Sequence, residues 1–415
     1  MSLISTPCCS TSRHPTLHSH RQRHRILVRD SSPQVFRSGD FEIDGSLGQV
    51  GYLTITSQSL DIPSPTLNFP TVEEGGVTCR LFAATVRKGD LAGCRVILKA
   101  YPLSAPGSES DIMSANELRA YSSLQPPLAP FYHGNVVKLL GAFEVPGPAG
   151  TGAAEQWLVL RNDGATSLDQ YARLAAEAFS EKRAVGTGVF WDRFDPTRAL
   201  LRRRLAIRVI LRGVLQGLDA LHTRNWLHQS LGPTSVVISE TDEQNMGRLL
   251  RVRLRDLAFA ADMSDARFVG GNTLAEIWEG GSVNRESDPR DNLAADLWRR
   301  ADAAGVDQTP VRRRAFGVAD DIFQMGLLVL YTAFVPFSAP GDVDGSQLQR
   351  LLETTFKLDV DGFREYCEAD DRWREGVAFL AAEDGAGWEL VGSMVQRDWS
   401  RRPTAASCLN HRFLN

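Results

Sequence analysis

Long hydrophobic runs are missing from this chain of 415 residues. No window of 18 consecutive apolar residues occurs, and the most apolar stretch, Met325 to Phe337, is too short to span a bilayer. Cysteine is scarce as well. Six Cys, without a Cys-x-x-Cys pair or zinc-type spacing, exclude a disulfide framework and a zinc module. Cys79 and Cys94 flank an expected β-hairpin and are read as inert thiols rather than a redox pair. Surplus charge is also lacking: a net −4 gives no basis for general nucleic-acid or anionic-membrane binding. What is present, 43% apolar and 23% charged residues, is ordinary for a globular protein large enough for two or three units with sizeable cores.

One further absence is local. Residues 1–29 contain no Asp or Glu but carry Arg13, Arg21, Arg23, Arg25 and Arg29, five Ser and four of the eight His. A basic, Ser-rich, acid-poor segment without an apolar core has the composition of an organelle transit peptide. The reading is a chloroplast address, with a mitochondrial address, or a plain basic tail on a cytoplasmic protein, as the alternatives. Residues 30–75 follow as an N-terminal extension with two candidate strands (around Phe41 and Tyr52) and a Pro-rich run from Pro63 to Pro70.

From Val77 the patterns sharpen. Val77 to Val86 and Cys94 to Tyr101 are strand-like, separated by a turn at Arg87-Lys88-Gly89-Asp90. Ser110 to Leu124 has helical periodicity, and Val136 to Phe143 and Gln156 to Leu160 supply two more strands. Strand, strand, helix, strand, strand describes a small α+β unit over 76–161. The remainder, 162–415, turns helical. Ser167 is placed to cap a helix through Ala176. Leu200 to His222 carries a broad stripe of Leu201, Leu205, Val209, Ile210, Val214, Leu218 and Leu221. Short strands are expected at Val236–Ile238 and from Val252, and a strongly apolar helix at Asp320 to Phe334. Residues 262–315, polar and rich in Gly and Arg, are too long for a normal connection and are expected to form a partly disordered insertion.

Within this frame the run His228-Gln229-Ser230-Leu231-Gly232-Pro233-Thr234-Ser235 resembles the catalytic loop of protein kinases, His-Arg-Asp followed four residues later by Asn. Other kinase-like motifs fall in order. Val96-Ile97-Leu98-Lys99 is similar to the third-strand motif with its Lys, and Glu117 stands where the helix Glu that pairs with that Lys belongs. His133 to Phe143 and Gly213 to His222 resemble the flanks of the fourth strand and of the loop. Asp256-Leu257-Ala258 occupies the Asp-Phe-Gly slot. Asp321 to Gly326 resembles the Asp-x-Trp-x-x-Gly helix, and Val395 to Thr404 the closing segment with Arg402.

The resemblance to the eukaryotic protein kinase superfamily implies a two-lobed α+β fold. It implies ATP and Mg²⁺ as cofactors, with Gly76, Lys99, Leu160 and Asp256 lining the nucleotide and Asp256 facing the metal. It implies structural links through Tyr121, His228 and Leu257. It also exposes departures. Ser230 replaces the loop Asp, Ser235 the Asn, Gly232 the Lys and Gln229 the Arg. A Ser hydroxyl is neither ionised at neutral pH nor a strong ligand for a hard cation. The phosphate-covering loop is expected near Glu74 to Leu81, where Gly76 fits one glycine but Glu74 and Cys79 occupy two others. The run Gly45-x-x-Gly48-x-x-Gly51 is an alternative, better read as a turn-rich strand. Ile97 is bulkier than the usual Ala beside the adenine, and no Ala-Pro-Glu appears to partner Arg402. The expectation is a degenerate, pseudokinase-like scaffold or regulator with an unknown protein partner. The alternatives are an active Ser/Thr kinase with Lys99, Glu117 and Asp256 as its working groups, and an ATP-binding sensor without transfer.

Overall fold

The structure, a computed structural model, describes residues 34–52, 76–124, 134–164, 166–185, 196–264, 294–307 and 309–415. The expected transit peptide at 1–29, the Pro-rich run, Glu74 and His133 lie outside these. The N-terminal part is a six-stranded sheet. Its strands are β1 (Gln34–Val35), β2 (Phe41–Tyr52), β3 (Val77–Val86), β4 (Arg95–Ala100), β5 (Leu139–Pro146) and β6 (Ala154–Arg161), in the order β1-β5-β6-β4-β3-β2. Helix α1 (Glu109–Leu124) lies between β4 and β5 in the chain. Alternation decides the faces of β3. Val77, Cys79 and Leu81 are buried toward the second lobe, while Thr78 and Arg80 are exposed.

Two expectations for this lobe are corrected. The extension at 30–75 is not separate: β1 adds to the sheet parallel to β5, and β2 pairs along its length with β3. Phe36 and Phe41 close the outer face, where Phe41 stacks on Phe143 at 5.4 Å and Phe143 on Trp157 at 5.5 Å. The phosphate-covering loop is not at 74–81 either. Val77 to Leu81 is strand, Cys79 points into the core, and the β2–β3 connection therefore spans 53–76. The glycines of Gly45-x-x-Gly48-x-x-Gly51 lie within β2, where register shifts fall at Ile43/Gly45 and Ser46/Gly48. Gly48 takes φ +103°, which a side chain would resist.

The larger lobe is mainly helical. Ser167 and Gln170 form a reciprocal capping box at the start of α2 (Leu168–Val185). Helix α3 (Pro196–Thr223) buries Ile207, Ile210, Leu211, Val214, Leu215, Leu218 and Leu221. Leu201 and Leu205, assigned to that stripe from the sequence, are instead 58% and 59% exposed, because the buried face runs one position out of phase with them. Gly213 and Gly217 let α3 approach the strand β10 (Val252–Leu254), whose Val252 and Leu254 fill the space a Cβ would take. Strand β10 pairs with β9 (Val236–Ile238), which pairs with β7 (Thr166–Ser167), and β8 (Trp226–Leu227) pairs with β11 (Ala261–Asp262).

The described part of the expected disordered insertion is ordered. Strand β11 opens it, and α5 (Ala295–Ala303) packs Leu297 and Ala301 with Leu227, Met263 and Phe316; α4 (Met246–Leu249) precedes it in the chain. Residues 265–293 lie outside the description. Helix α6 (Pro310–Phe334) begins ten residues before its expected start, because Thr309 caps it by accepting from the Arg312 N–H and Pro310 takes the first turn. Among the described residues, α6 with the following turn is the one stretch long and apolar enough to cross a membrane, and it is instead buried as the axis of the lobe.

Replacing Gly217 by Ala tests the α3–β10 approach. Helix propensity favours Ala by about 1 kcal/mol, but the new Cβ meets Leu254 Cδ1 at 2.8 Å and the Asn135 carbonyl oxygen at 2.9 Å. Overpacking of about 1–3 kcal/mol outweighs the propensity gain, so urea denaturation is expected to show a net loss of stability. An unchanged or raised midpoint would show that the interface yields.

Candidate functional site

The cleft between the lobes is built on α6. Asp321 is fully buried and turns its carboxylate to the loop that precedes β9. Its Oδ2 accepts from the His228 N–H at 2.8 Å and lies 2.9 Å from His222 Nε2, and its Oδ1 accepts from the Gln229 N–H at 2.9 Å. Gln324, one turn on, accepts from the Leu231 N–H at 2.9 Å. Gln229 sits at φ +59°, a left-handed conformation that a non-glycine residue holds only when its surroundings enforce it. Burial alone would raise the Asp321 carboxyl. The His222 contact, the nearby histidines and the His228 N–H outweigh it and hold Asp321 below the ordinary range.

His228 Nε2 lies 3.0 Å from the Arg255 carbonyl, and Nδ1 accepts the Ser230 N–H at 3.3 Å. Nε2 therefore carries the proton in a neutral ring. Burial, the leading cause, lowers its pKa against the pull of Asp321 and Asp256. Tyr121, His228 and Leu257 are each completely buried at the junction of the lobes.

The candidate residues Lys99, Glu117 and Asp256 come together although 157 residues separate the first from the last. Lys99 Nζ donates to Glu117 Oε1 at 3.1 Å, to Glu117 Oε2 at 2.8 Å and to Asp256 Oδ1 at 2.8 Å. Burial opposes the Lys99 charge, but Asp256 and Glu117 outweigh it and raise its pKa above the ordinary lysine value. Tyr101 also donates to Glu117 Oε2, and the Leu257 N–H donates to Glu117 Oε1 at 3.1 Å. Helix α1 holds the segment after Asp256 further along. Asn116 Nδ2 donates to the carbonyls of Ala258 and Ala260, and Arg119 pairs with Asp262 at 2.5 Å.

The loop hydroxyls face inward. Ser230 is 2% exposed and donates to the Asp256 carbonyl at 2.9 Å, with its Oγ 3.4 Å from His228 Nδ1. Ser235 Oγ donates to the Gly232 carbonyl at 2.9 Å and accepts from the Gly232 N–H at 3.0 Å. Leu160 and Ile97 face each other across β6 and β4, and both belong to the buried cluster that contains Val50, Val77 and Cys79. Burial pushes the Cys79 thiol well up, which leaves it inert. Gly76 stands apart from these groups, half-buried at the leading edge of β3.

Both Asp256 oxygens are engaged, Oδ1 by Lys99 and Oδ2 by Arg255 Nε at 3.1 Å, and both serine hydroxyls are committed to backbone carbonyls. Among the described residues no group of three or more His, Cys, Asp or Glu is placed to hold a metal. Arg255 was not singled out from the sequence, although it adjoins Asp256. Tyr101, Asn116 and Gln324 were missed because neutral polar residues carry no motif of their own. Arg300 of α5 was missed because its role is tertiary: it forms a two-pronged pair with Asp320 at 3.1 and 2.6 Å and donates to Gln229 Oε1 at 3.3 Å. Arg402, left without a partner by the sequence, donates to the carbonyls of Gln396 and Ala319 and lies 4.6 Å over the Phe323 ring. Burial brings its pKa down to about 10.

Comparisons with known proteins agree with this architecture. No family model matches the chain. It is 26% identical over 271 residues to the chloroplastic serine/threonine-protein kinase STN7 of Arabidopsis thaliana. That match takes in 63% of this chain and 44% of the relative, so the chain spans less than half the length of the curated protein it resembles. The crystal structure of an Stt7 homologue from Micromonas algae soaked with ATP superposes with a TM-score of 0.50 at 16% identity, covering 99% of this chain and 98% of the other. The fold is thus a two-lobed protein-kinase fold. In sequence the chain is similar to a member of the protein kinase superfamily.

Two measurements test the site. Lys99→Met strands the Glu117 and Asp256 carboxylates in a buried space and is expected to lower stability by about 3–5 kcal/mol in chemical denaturation. Adding Glu117→Leu should recover part of that loss, and strict additivity would mean the pair does not interact. The pH dependence follows from His228. Its folded pKa lies below the ordinary 6.5, so the unfolded chain binds more protons and stability falls as pH drops below about 6.5. His228→Phe should flatten the slope of unfolding free energy between about pH 5.5 and 7; an unchanged slope would refute the buried neutral ring.

Proposed function

We propose that this protein is a plastid-located member of the superfamily that is impaired in phosphotransfer and acts as a scaffold or regulator of a protein partner. The observation that carries this reading is the state of the two loop serines. Where a kinase has an Asp to accept the hydroxyl proton, Ser230 donates its own proton to the Asp256 carbonyl. Where a kinase has an Asn to help hold metal, Ser235 closes a turn onto Gly232. Neither group is a carboxylate or an amide, and both are buried. Gly232 carries no side chain to neutralise a transferring phosphoryl group.

The structural frame is meanwhile intact. Lys99, Glu117 and Asp256 are assembled, α1 is pinned to the Asp256–Asp262 segment, and the loop backbone is held by Asp321 and Gln324. A fold maintained in this way without a base presents a defined surface to a partner. Two features support the plastid location: the acid-poor composition of residues 1–29 and the resemblance to a chloroplastic kinase. The retained Lys99–Glu117 pair favours one second reading, a nucleotide sensor that binds ATP without transfer, in keeping with a structural relative studied with ATP.

Incubating the purified protein with labelled ATP and Mg²⁺, alone and with a general protein acceptor, is expected to give no incorporation above the no-protein background. Incorporation by the wild type that is lost in Asp256→Asn overturns the impaired reading. Thermal unfolding with ATP then separates the remaining two. An unshifted midpoint fits a scaffold, because a ligand bound only to the folded state must stabilise it. A raised midpoint without transfer fits the sensor.

A further inference from the structure

Arg255 is a charged group of the cleft that the kinase motifs do not account for. Its side chain is 8% exposed and turned inward. Nε donates to Asp256 Oδ2 at 3.1 Å and to the Thr234 carbonyl at 3.2 Å, and Nη2 donates to the same carbonyl at 3.0 Å. A carboxylate oxygen and a backbone carbonyl oxygen, converging beside Ser235, are the hard ligands that Mg²⁺ or Mn²⁺ would seek. In this chain they converge on a guanidinium. The other Asp256 oxygen is held by Lys99 at 2.8 Å.

We propose that the Arg255 guanidinium is a built-in replacement for the divalent cation at Asp256, so that this cleft takes up no divalent metal. The charges support the assignment. Lys99 and Arg255 balance Glu117 and Asp256, which leaves no net negative charge to attract a second cation. A divalent ion about 4 Å from each of these cations would meet a repulsion of about 8 kcal/mol from each, at a protein-like effective dielectric near 20. The Asp256 carboxylate, already shared between these two cations, and the neutral Thr234 carbonyl do not offset both repulsions. The guanidinium is part of the chain, so the replacement does not exchange with solvent as a bound ion would. It also supplies part of what the metal would give the fold, because it ties the Asp256 segment to the loop at Thr234 while the Arg255 N–H donates to the Ser235 carbonyl. Any anionic ligand of this cleft would therefore be taken in its metal-free form.

This inference is separable from the loss of phosphotransfer. A chain that binds metal here could still lack a base, and a metal-free chain could still transfer by other means. The test uses Mn²⁺ as the probe, read by its electron paramagnetic resonance signal, titrated into the full chain with and without ATP. The wild type is expected to bind no stoichiometric Mn²⁺ above that held by ATP alone. Arg255→Ser, which uncovers the Asp256 and Thr234 oxygens, is expected to gain at least tenfold in Mn²⁺ affinity, about 1.4 kcal/mol of binding free energy. Arg255→Met, which keeps the bulk but removes the charge, should show a smaller gain. It also serves as the second variant should the serine form fail to fold. Stoichiometric Mn²⁺ on the wild type overturns the proposal, and so does a folded variant without charge at 255 that binds no more metal than the wild type.

Discussion

Four buried charges at the junction of the lobes hold this protein together. Lys99 comes from β4, Glu117 from α1, and Arg255 and Asp256 from the turn after β10. None would be tolerated alone in so dry a position, since an isolated buried charge costs many kcal/mol while a well-bonded cluster offsets most of it. The requirement for mutual neutralisation therefore fixes geometry. The sheet, the helix and the catalytic-type loop have to meet at one point, because each supplies a charge that the others must satisfy.

The same constraint explains the inward-turned chemistry. Asp256 sits at φ +64°, left-handed, and its carboxylate reaches both cations from there. Its carbonyl accepts the Ser230 proton, and the next N–H goes to Glu117. The Asp256 carboxylate and carbonyl and the Leu257 N–H are thus all used within the protein. In an active kinase such groups divide their bonding between the fold and the nucleotide–metal complex. Here the Asp256 carboxylate and both loop hydroxyls are bonded within the protein, so the kinase-shaped cleft has these polar groups turned on itself.

A second anchor lies beneath. Asp321 and Gln324 of α6 bind the loop backbone, while Asp320 of the same helix receives Arg300 from α5, which also reaches Gln229. Gln229 is the residue that the loop resemblance sets against the kinase Arg. A fixed Arg–Asp pair from the chain itself now orders that corner without a modification. Fewer than two turns of one apolar helix, Ala319 to Gln324, thereby organise the loop, the insertion and, through Arg402, the closing segment.

Motif order in the sequence already determined the two-lobed fold and the pairing of Lys99 with Glu117, because those residues are charged, few and fixed in sequence relation to strands and helices of clear periodicity. The helix starts at Ser167 and the strands from Val77 to Leu160 were legible for the same local reasons. Only the tertiary structure decided the rest. That β1 and β2 belong to the sheet depends on pairing partners far along the chain, and that Leu201 and Leu205 face outward depends on which side of α3 meets β10. That the phosphate-loop position is a strand depends on register, and the ordering of residues 294–307 depends on packing against Leu227 and Phe316. Above all, Arg255 reads in one dimension as an unremarked neighbour of Asp256. It becomes a cation in the metal's place only when the turn folds its guanidinium back between the Asp256 carboxylate and the Thr234 carbonyl, because where a long side chain ends is set by its partners and not by its position in the chain.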